Sequence, residues 1–151
     1  MPVLLLALFS GSLLIGVTEA GAEPAAVDWS NVKTVQVGMA NFDFTPKSLQ
    51  FHANVPYRRR FTNSASHEHS FDAPEFFAAV TIAPENESKV AKGEVEGEGG
   101  RTVEVKFVPS SVGSYGFHCS HFLHSAFGMT GHVLIEEKAQ CRLKVISAIE
   151  K

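Results

Sequence analysis

Apolar and polar residues alternate in short stretches along this chain, and turn residues separate the stretches. In residues 32–39, Val35, Val37 and Met39 share one face, the period of a half-buried strand. Phe42 and Phe44 carry the alternation into the next stretch, where Pro46 ends pairing. Leu49 and Phe51 mark another short strand, Asn54 and Pro56 a turn, and residues 57–61 a further strand. Residues 101–108 put Val103, Val105 and Phe107 on one side and Thr102, Glu104 and Lys106 on the other. Residues 114–119 alternate again, and residues 130–136 form the last strand. Pro74 opens room for one helical turn, followed by a short strand at residues 80–82. Seven or eight short strands with turn signals between them predict an all-β antiparallel sandwich or barrel.

The remaining stretches read as connections. Arg58, Arg59 and Arg60 are expected on a solvated face or an edge strand, where charge blocks unwanted pairing. Residues 83–100 are rich in Glu, Gly and Lys and read as an exposed connection with a β-ribbon around residues 89–96. Residues 137–151 are a C-terminal tail in which Leu143, Ile146 and Ile149 have helix-like spacing.

Residues 1–22 read as a secretory signal peptide. An apolar run interrupted at Ser10, Gly11 and Ser12 leads to the small residues Ala20-Gly21-Ala22, although no Lys or Arg precedes it. The interruption leaves the run short for a membrane span of about 20 residues, so no stable membrane insertion is expected after cleavage. Residues 23–31 follow as a flexible leader. The expected destination is periplasmic or secreted. The chain has 151 residues, 44% hydrophobic and 19% charged, with a formal net charge of −3. One folded domain, residues 32–136, accommodates this, and the charge gives no case for nucleic acid as a partner. Twelve Phe against one Trp predict an aromatic core.

Chemistry concentrates in residues 115–132. Cys119, His124 and Met129 are spaced Cys-x4-His-x4-Met. Two histidines and one cysteine in a trigonal set, with a weak axial methionine, make a blue-copper electron-transfer site. Tyr115, Phe117 and Cys119 share the buried face of their strand, so His118 points away. Gly128 and Gly131 allow the loop after Cys119 to turn back with His124 and Met129. His121 follows the cysteine too closely to come round and is assigned to the surface or to a supporting role. The second histidine must come from another loop. His69, just before Ser70-Phe71, is the first choice, with His67 as its rival, and both could approach a metal. Cys141 lies beyond the last strand. A bridge to Cys119 is disfavoured against copper ligation, and zinc is disfavoured by the methionine.

These motifs resemble the cupredoxins, the family of plastocyanin and azurin, and most closely single-domain exported members. The likeness is carried by Asn41-Phe-Asp-Phe-Thr-Pro46, His69-Ser-Phe71 and Tyr115-x-Phe-x-Cys119 with His124, Gly128-Met129 and Gly131. It implies a Greek-key β-sandwich, copper cycling between Cu(I) and Cu(II), and ligands at His69, Cys119, His124 and Met129. The chain departs from the family in two ways. Ser70 stands where several members carry Asn hydrogen-bonded to the cysteine sulfur, and His67, His118 and His121 exceed what an electron carrier needs. Phe122, Leu123 and Phe127 are expected to surround the site and exclude water. The expected function is a one-electron carrier between exported redox proteins. The alternative is a copper-handling protein, a chaperone, store or sensor. Enzymatic activity is not expected: four side chains saturate the site, no second cysteine in the loop allows a binuclear centre, and no oxyanion-hole signature accompanies Cys119.

Overall fold

A computed structural model describes residues 27–30 and 32–138. The signal segment, most of the leader, Cys141 and the helix-like stretch of the tail lie outside the described residues.

Ten strands form two five-stranded sheets. In chain order they are β1 (Lys33–Ala40), β2 (Asp43–Thr45), β3 (Ser48–His52), β4 (Tyr57–Asn63), β5 (His69–Asp72), β6 (Val80–Ile82), β7 (Glu94–Gly97), β8 (Thr102–Pro109), β9 (Gly113–His118) and β10 (Thr130–Glu136). A five-residue helix, α1 (Pro74–Ala78), precedes β6, and a 3-10 helix, Pro84–Lys89, follows it. One sheet runs β2-β1-β4-β8-β6 and the other β3-β10-β9-β5-β7. Neighbours in space are mostly not neighbours in sequence, which makes an all-β sandwich with Greek-key connections.

The arrangement differs from the sequence expectation in three respects, the first being ten strands where seven or eight were expected. It is not wholly antiparallel: β1 pairs with β4, and β3 with β10, in parallel. Both follow from one event, the chain leaving the first sheet after β2 at Pro46, adding β3 to the second sheet and then returning as β4. The expected ribbon near residues 89–96 also finds another partner. Residues Ala91 and Glu94 close a tight turn, but β7 pairs with β5, placing Glu96 opposite Ser70 and Gly97 opposite His69. That pairing brings an acidic strand to the end of the sandwich where His69 sits.

Between the sheets lies an aromatic core. Phe44, Phe51, Phe61, Phe71, Phe76, Phe107 and Phe117 are all buried. Phe71 and Phe117 have ring centroids 4.5 Å apart, and Phe44 meets Phe117 edge-on at 5.1 Å. Aromatic pairs of this kind contribute about 0.5–1.5 kcal/mol beyond the area they bury. Phe71 lies two residues after His69 and Phe117 two before Cys119. The same period-two alternation that builds the core therefore aims those two donors at one end of it.

Arg59 overturns the solvated reading of the arginine run. β4 is interior to its sheet, between β1 and β8, and its inward face carries Tyr57, Arg59, Phe61 and Asn63. Arg60 is exposed and pairs with Glu104 at 2.8 Å. Arg59 is 2% exposed, its guanidinium nitrogens have no hydrogen-bond partner among the described residues, and its charge rests 5.5 Å from the ring centres of Phe51 and Phe61 and 5.8 Å from that of Phe71. The quadrupoles of three rings offset part of the lost hydration. Burial nevertheless pulls the guanidinium down to about 9. In the unfolded chain the group keeps its proton to much higher pH. Folding therefore gains stability from this residue only as pH rises above about 9, and at neutral pH the buried charge is destabilising. Arg59→Met is expected to raise stability by about 1–3 kcal/mol in chemical denaturation at pH 7, and to flatten the rise in stability above pH 9. A loss of stability would show that the charge has a compensating partner.

Candidate metal centre

At one end of the sandwich three chain segments meet. β5 opens with His69, which is 1% exposed. β9 ends at His118, and Cys119 follows it with no exposure. The β9–β10 loop then contributes His124 and Met129. Cys119 Sγ lies 3.3 Å from His124 Nδ1 and 3.9 Å from His69 Nδ1. Cys119 is a free thiol.

The loop is held by its own backbone. The N–H of His124 donates to the carbonyl of His121 at 3.1 Å, that of Met129 to the carbonyl of His124 at 3.0 Å, and that of Cys119 to the carbonyl of Met129 at 3.1 Å. Gly128 takes φ +95°, open only to glycine without strain. Met129 is fully buried in the core cluster that contains Cys119. On the other side, Asn63 fixes the segment before β5. Its side chain donates to the carbonyls of His67 and Gly97 at 2.7 and 2.8 Å and accepts from the N–H of Ala65 at 2.9 Å.

The donor geometry fits a metal ion. With bonds of about 2.0 Å to nitrogen and about 2.3 Å to sulfur, as zinc makes to these donors, a trigonal ion holds S and N about 3.7 Å apart. The observed separations, 3.3 and 3.9 Å, straddle that value. Burial first, then the charges of His124, His121 and His67, lower the proton affinity of His69. The neutral imidazole that a metal requires is thereby favoured. His69 Nε2, on the far side of the ring, is buried without a hydrogen-bond partner among the described residues.

A family model for copper-binding proteins, the plastocyanin/azurin family, matches residues 31–136. The chain belongs to that family. Among curated proteins no sequence match was found. Solved structures share the fold. Auracyanin B superposes with a TM-score of 0.53 at 22% identity, covering 72% of this chain and 92% of that one. Auracyanin A, described as a "blue" copper protein from the green thermophilic photosynthetic bacterium Chloroflexus aurantiacus, gives 0.51 at 18% identity over 70% and 100% of the two chains. A multicopper oxidase gives 0.53 at 15% identity, but the match covers only 43% of that chain and 71% of this one. In this plastocyanin/azurin-family chain, His69, Cys119, His124 and Met129 form a type 1 copper-like site.

The rest of the sequence-expected site sorts as follows. His67 is exposed while His69 is buried, so of these two His69 is the one that reaches the cysteine sulfur. His118 points away and meets Asp72 at 3.4 Å. His121 sits at the surface with Nε2 3.0 Å from Glu96 Oε1. Phe122, Leu123 and Phe127 do not seal the site as expected. They stand outward, 87%, 48% and 65% exposed. The residue that does lie against His124 is Phe42, at 5.0 Å edge-on, and it also meets Phe127 at 5.4 Å. Phe42 is therefore not the core partner of Phe44. The turn between β1 and β2 holds it at φ +60°, and Leu123 in the ligand loop has φ +63°. Each such residue stores about 1–2 kcal/mol of backbone strain, and strain of this kind gathers at functional sites.

Asn63, Phe42, Ser120 and Glu94 were not singled out by the sequence. Asn63 had a signal: it continues the inward face Tyr57-Arg59-Phe61. Ser120 and Glu94 had none, because they act through a chain of contacts. The Ser70 N–H donates to Cys119 Sγ at 3.5 Å, and Ser70 Oγ lies 3.8 Å from the same sulfur. Ser70 Oγ accepts from the Ser120 N–H at 2.9 Å and lies 2.9 Å from Ser120 Oγ. Ser120 Oγ in turn donates to the Glu94 carboxylate. With its own proton committed to Glu94, the Ser120 hydroxyl remains an acceptor. It competes with the cysteine sulfur for the single hydroxyl proton of Ser70. Ser120→Ala removes the competitor, so the Ser70 hydroxyl turns to the sulfur and withdraws charge from the thiolate. The reduction potential of the copper-loaded protein is expected to rise by the worth of one hydrogen bond, about 0.5–1.5 kcal/mol or roughly 20–60 mV. Spectroelectrochemical titration measures this. A fall would show that Ser120 supports the sulfur rather than competing for its donor.

Proposed function

We propose that this protein is a one-electron carrier between exported redox proteins, in which His69, Cys119, His124 and Met129 would hold copper. The observation that carries this reading is the convergence of one buried thiol and two imidazoles, with a buried thioether on the same loop. That donor set suits copper in both oxidation states. Bound copper supplies the one-electron step. The chain's own residues supply rigidity. Backbone hydrogen bonds and strands at both ends fix the loop, and Asn63 fixes the opposite segment, so the donors shift little when the charge changes. Four protein donors leave no open position for a substrate, which favours a carrier over an enzyme. The signal-like start of the sequence supports a periplasmic or secreted location. Among the described residues no helix is long and apolar enough to cross a membrane.

The exposed apolar rim supports a docking role. Exposed Phe42 packs against the half-buried His124 and against Phe127, exposed Phe122 and Leu123 stand on the same loop, and the His124 ring reaches Cys119 Sγ. A redox partner seated there would bring its own centre close to the copper while excluding water.

A second reading is copper handling, as a chaperone, store or sensor. It is favoured by the open hollow in which His67 and His121 stand beside His124. A carrier keeps its metal through dialysis and cycles reversibly at an electrode. A chaperone prefers Cu(I) and surrenders it to a competing acceptor.

Adding Cu(II) to the purified protein is expected to produce an intense visible absorption from thiolate-to-copper charge transfer, and Cys119→Ser should remain colourless. A colourless wild-type protein would overturn the carrier reading. Phe122→Glu is expected to leave the absorption and the potential unchanged. It should slow electron self-exchange, measured by NMR line broadening, by about tenfold or more, since each of the two docked copies loses roughly 1 kcal/mol of apolar contact. An unchanged exchange rate would remove the rim from the docking surface.

A further inference from the structure

Beside the buried donors lies a second cluster that electron transfer does not use. One carboxylate oxygen of Glu68, one of Glu96 and one ring nitrogen of His121 all lie within 4.8 Å of one another. The three come from separate segments: the loop before β5, the edge strand β7 and the loop after Cys119. The β5–β7 pairing places Glu96 opposite Ser70, and the ligand loop lays His121 across it, 3.0 Å from Glu96 Oε1. Among the described residues, Lys47, Arg60 and Lys106 form ion pairs elsewhere, and no Lys or Arg pairs with Glu68 or Glu96. Two carboxylates are thus held together with one imidazole between them and no fixed cation. Burial, opposed by His121 and reinforced by Glu94 and Glu68, pushes the Glu96 carboxyl up. A cation placed among the three groups would relieve that repulsion.

The donor chemistry selects the cation. An imidazole is a poor partner for calcium or magnesium, which take oxygen. Without thiolate or thioether the cluster has little hold on Cu(I). One imidazole and two carboxylates with an open fourth position suit a borderline divalent ion, and Glu68 and His121 line an open hollow there. We propose that Glu68, Glu96 and His121 form a second, surface site for a divalent transition-metal ion of the zinc(II) or copper(II) class. The site adjoins the first. The His121 and His124 rings are 5.8 Å apart, and those of His124 and His69 4.9 Å. A cation there sits at the mouth of the buried site without sharing its ligands.

Zinc(II) is the probe, titrated by calorimetry into the copper-loaded protein in a non-chelating buffer, with copper content per chain measured before and after. One zinc ion is expected to bind per chain with no loss of copper. Glu96→Gln and His121→Ala should each weaken that event by about tenfold or more while retaining copper. Glu68→Gln should weaken it as well. No binding event in the wild type, equal binding in all three variants, or zinc uptake matched by copper loss would overturn the proposal. The two readings fail separately. A missing visible band on adding Cu(II) speaks against the carrier, and a missing zinc event dependent on His121 speaks against the second site.

Discussion

The molecule turns on the approach of one sulfur to two imidazoles across the end of a sandwich. Cys119 leaves β9 on the same side as Phe117, and His69 opens β5 on the same side as Phe71. The packing of those two rings, 4.5 Å apart and tilted, aligns the strand ends. A shift of one residue in either strand would turn its donor outward, because successive side chains face opposite ways. Register in the aromatic core therefore controls chemistry at the rim. His118 shows the alternative, pointing out to Asp72.

Much of this was legible in the chain. Alternation marked β1, β8 and β9, shorter apolar signals marked β3, β4 and β10, and the Cys-x4-His-x4-Met run marked the ligand loop. What escaped did so for definable reasons. Three consecutive arginines read as solvated because an unpaired buried guanidinium is costly. Only the arrangement of Phe51, Phe61 and Phe71 makes a place for Arg59. Phe42 obeyed the period of a strand, but a turn reverses its direction through a positive φ that no period reveals. The partner of β7 depended on long-range pairing with β5. The two parallel pairings came from a crossing between sheets that local patterns do not encode.

The apolar side chains of the ligand loop are the most instructive departure. They would be expected to close over a metal, and instead they face solvent. Water is kept from the sulfur by the core beneath it, where Cys119 and Met129 have no exposure. Dryness and docking are thus separated. The core supplies the first, and the rim, with its strained Phe42 and Leu123, is free to supply the second. Acidic β7 adds a third influence. Through Glu94 it reaches the Ser120–Ser70 pair beside the sulfur, and through Glu96 it reaches His121. An edge strand that reads as a mere connection touches the centre's surroundings twice.

X-ray absorption at the copper edge of the loaded protein reads the donor set itself. One short copper–sulfur bond together with two nitrogen donors at about 2.0 Å is expected. A first shell of nitrogen and oxygen alone, with no sulfur, would contradict that expectation.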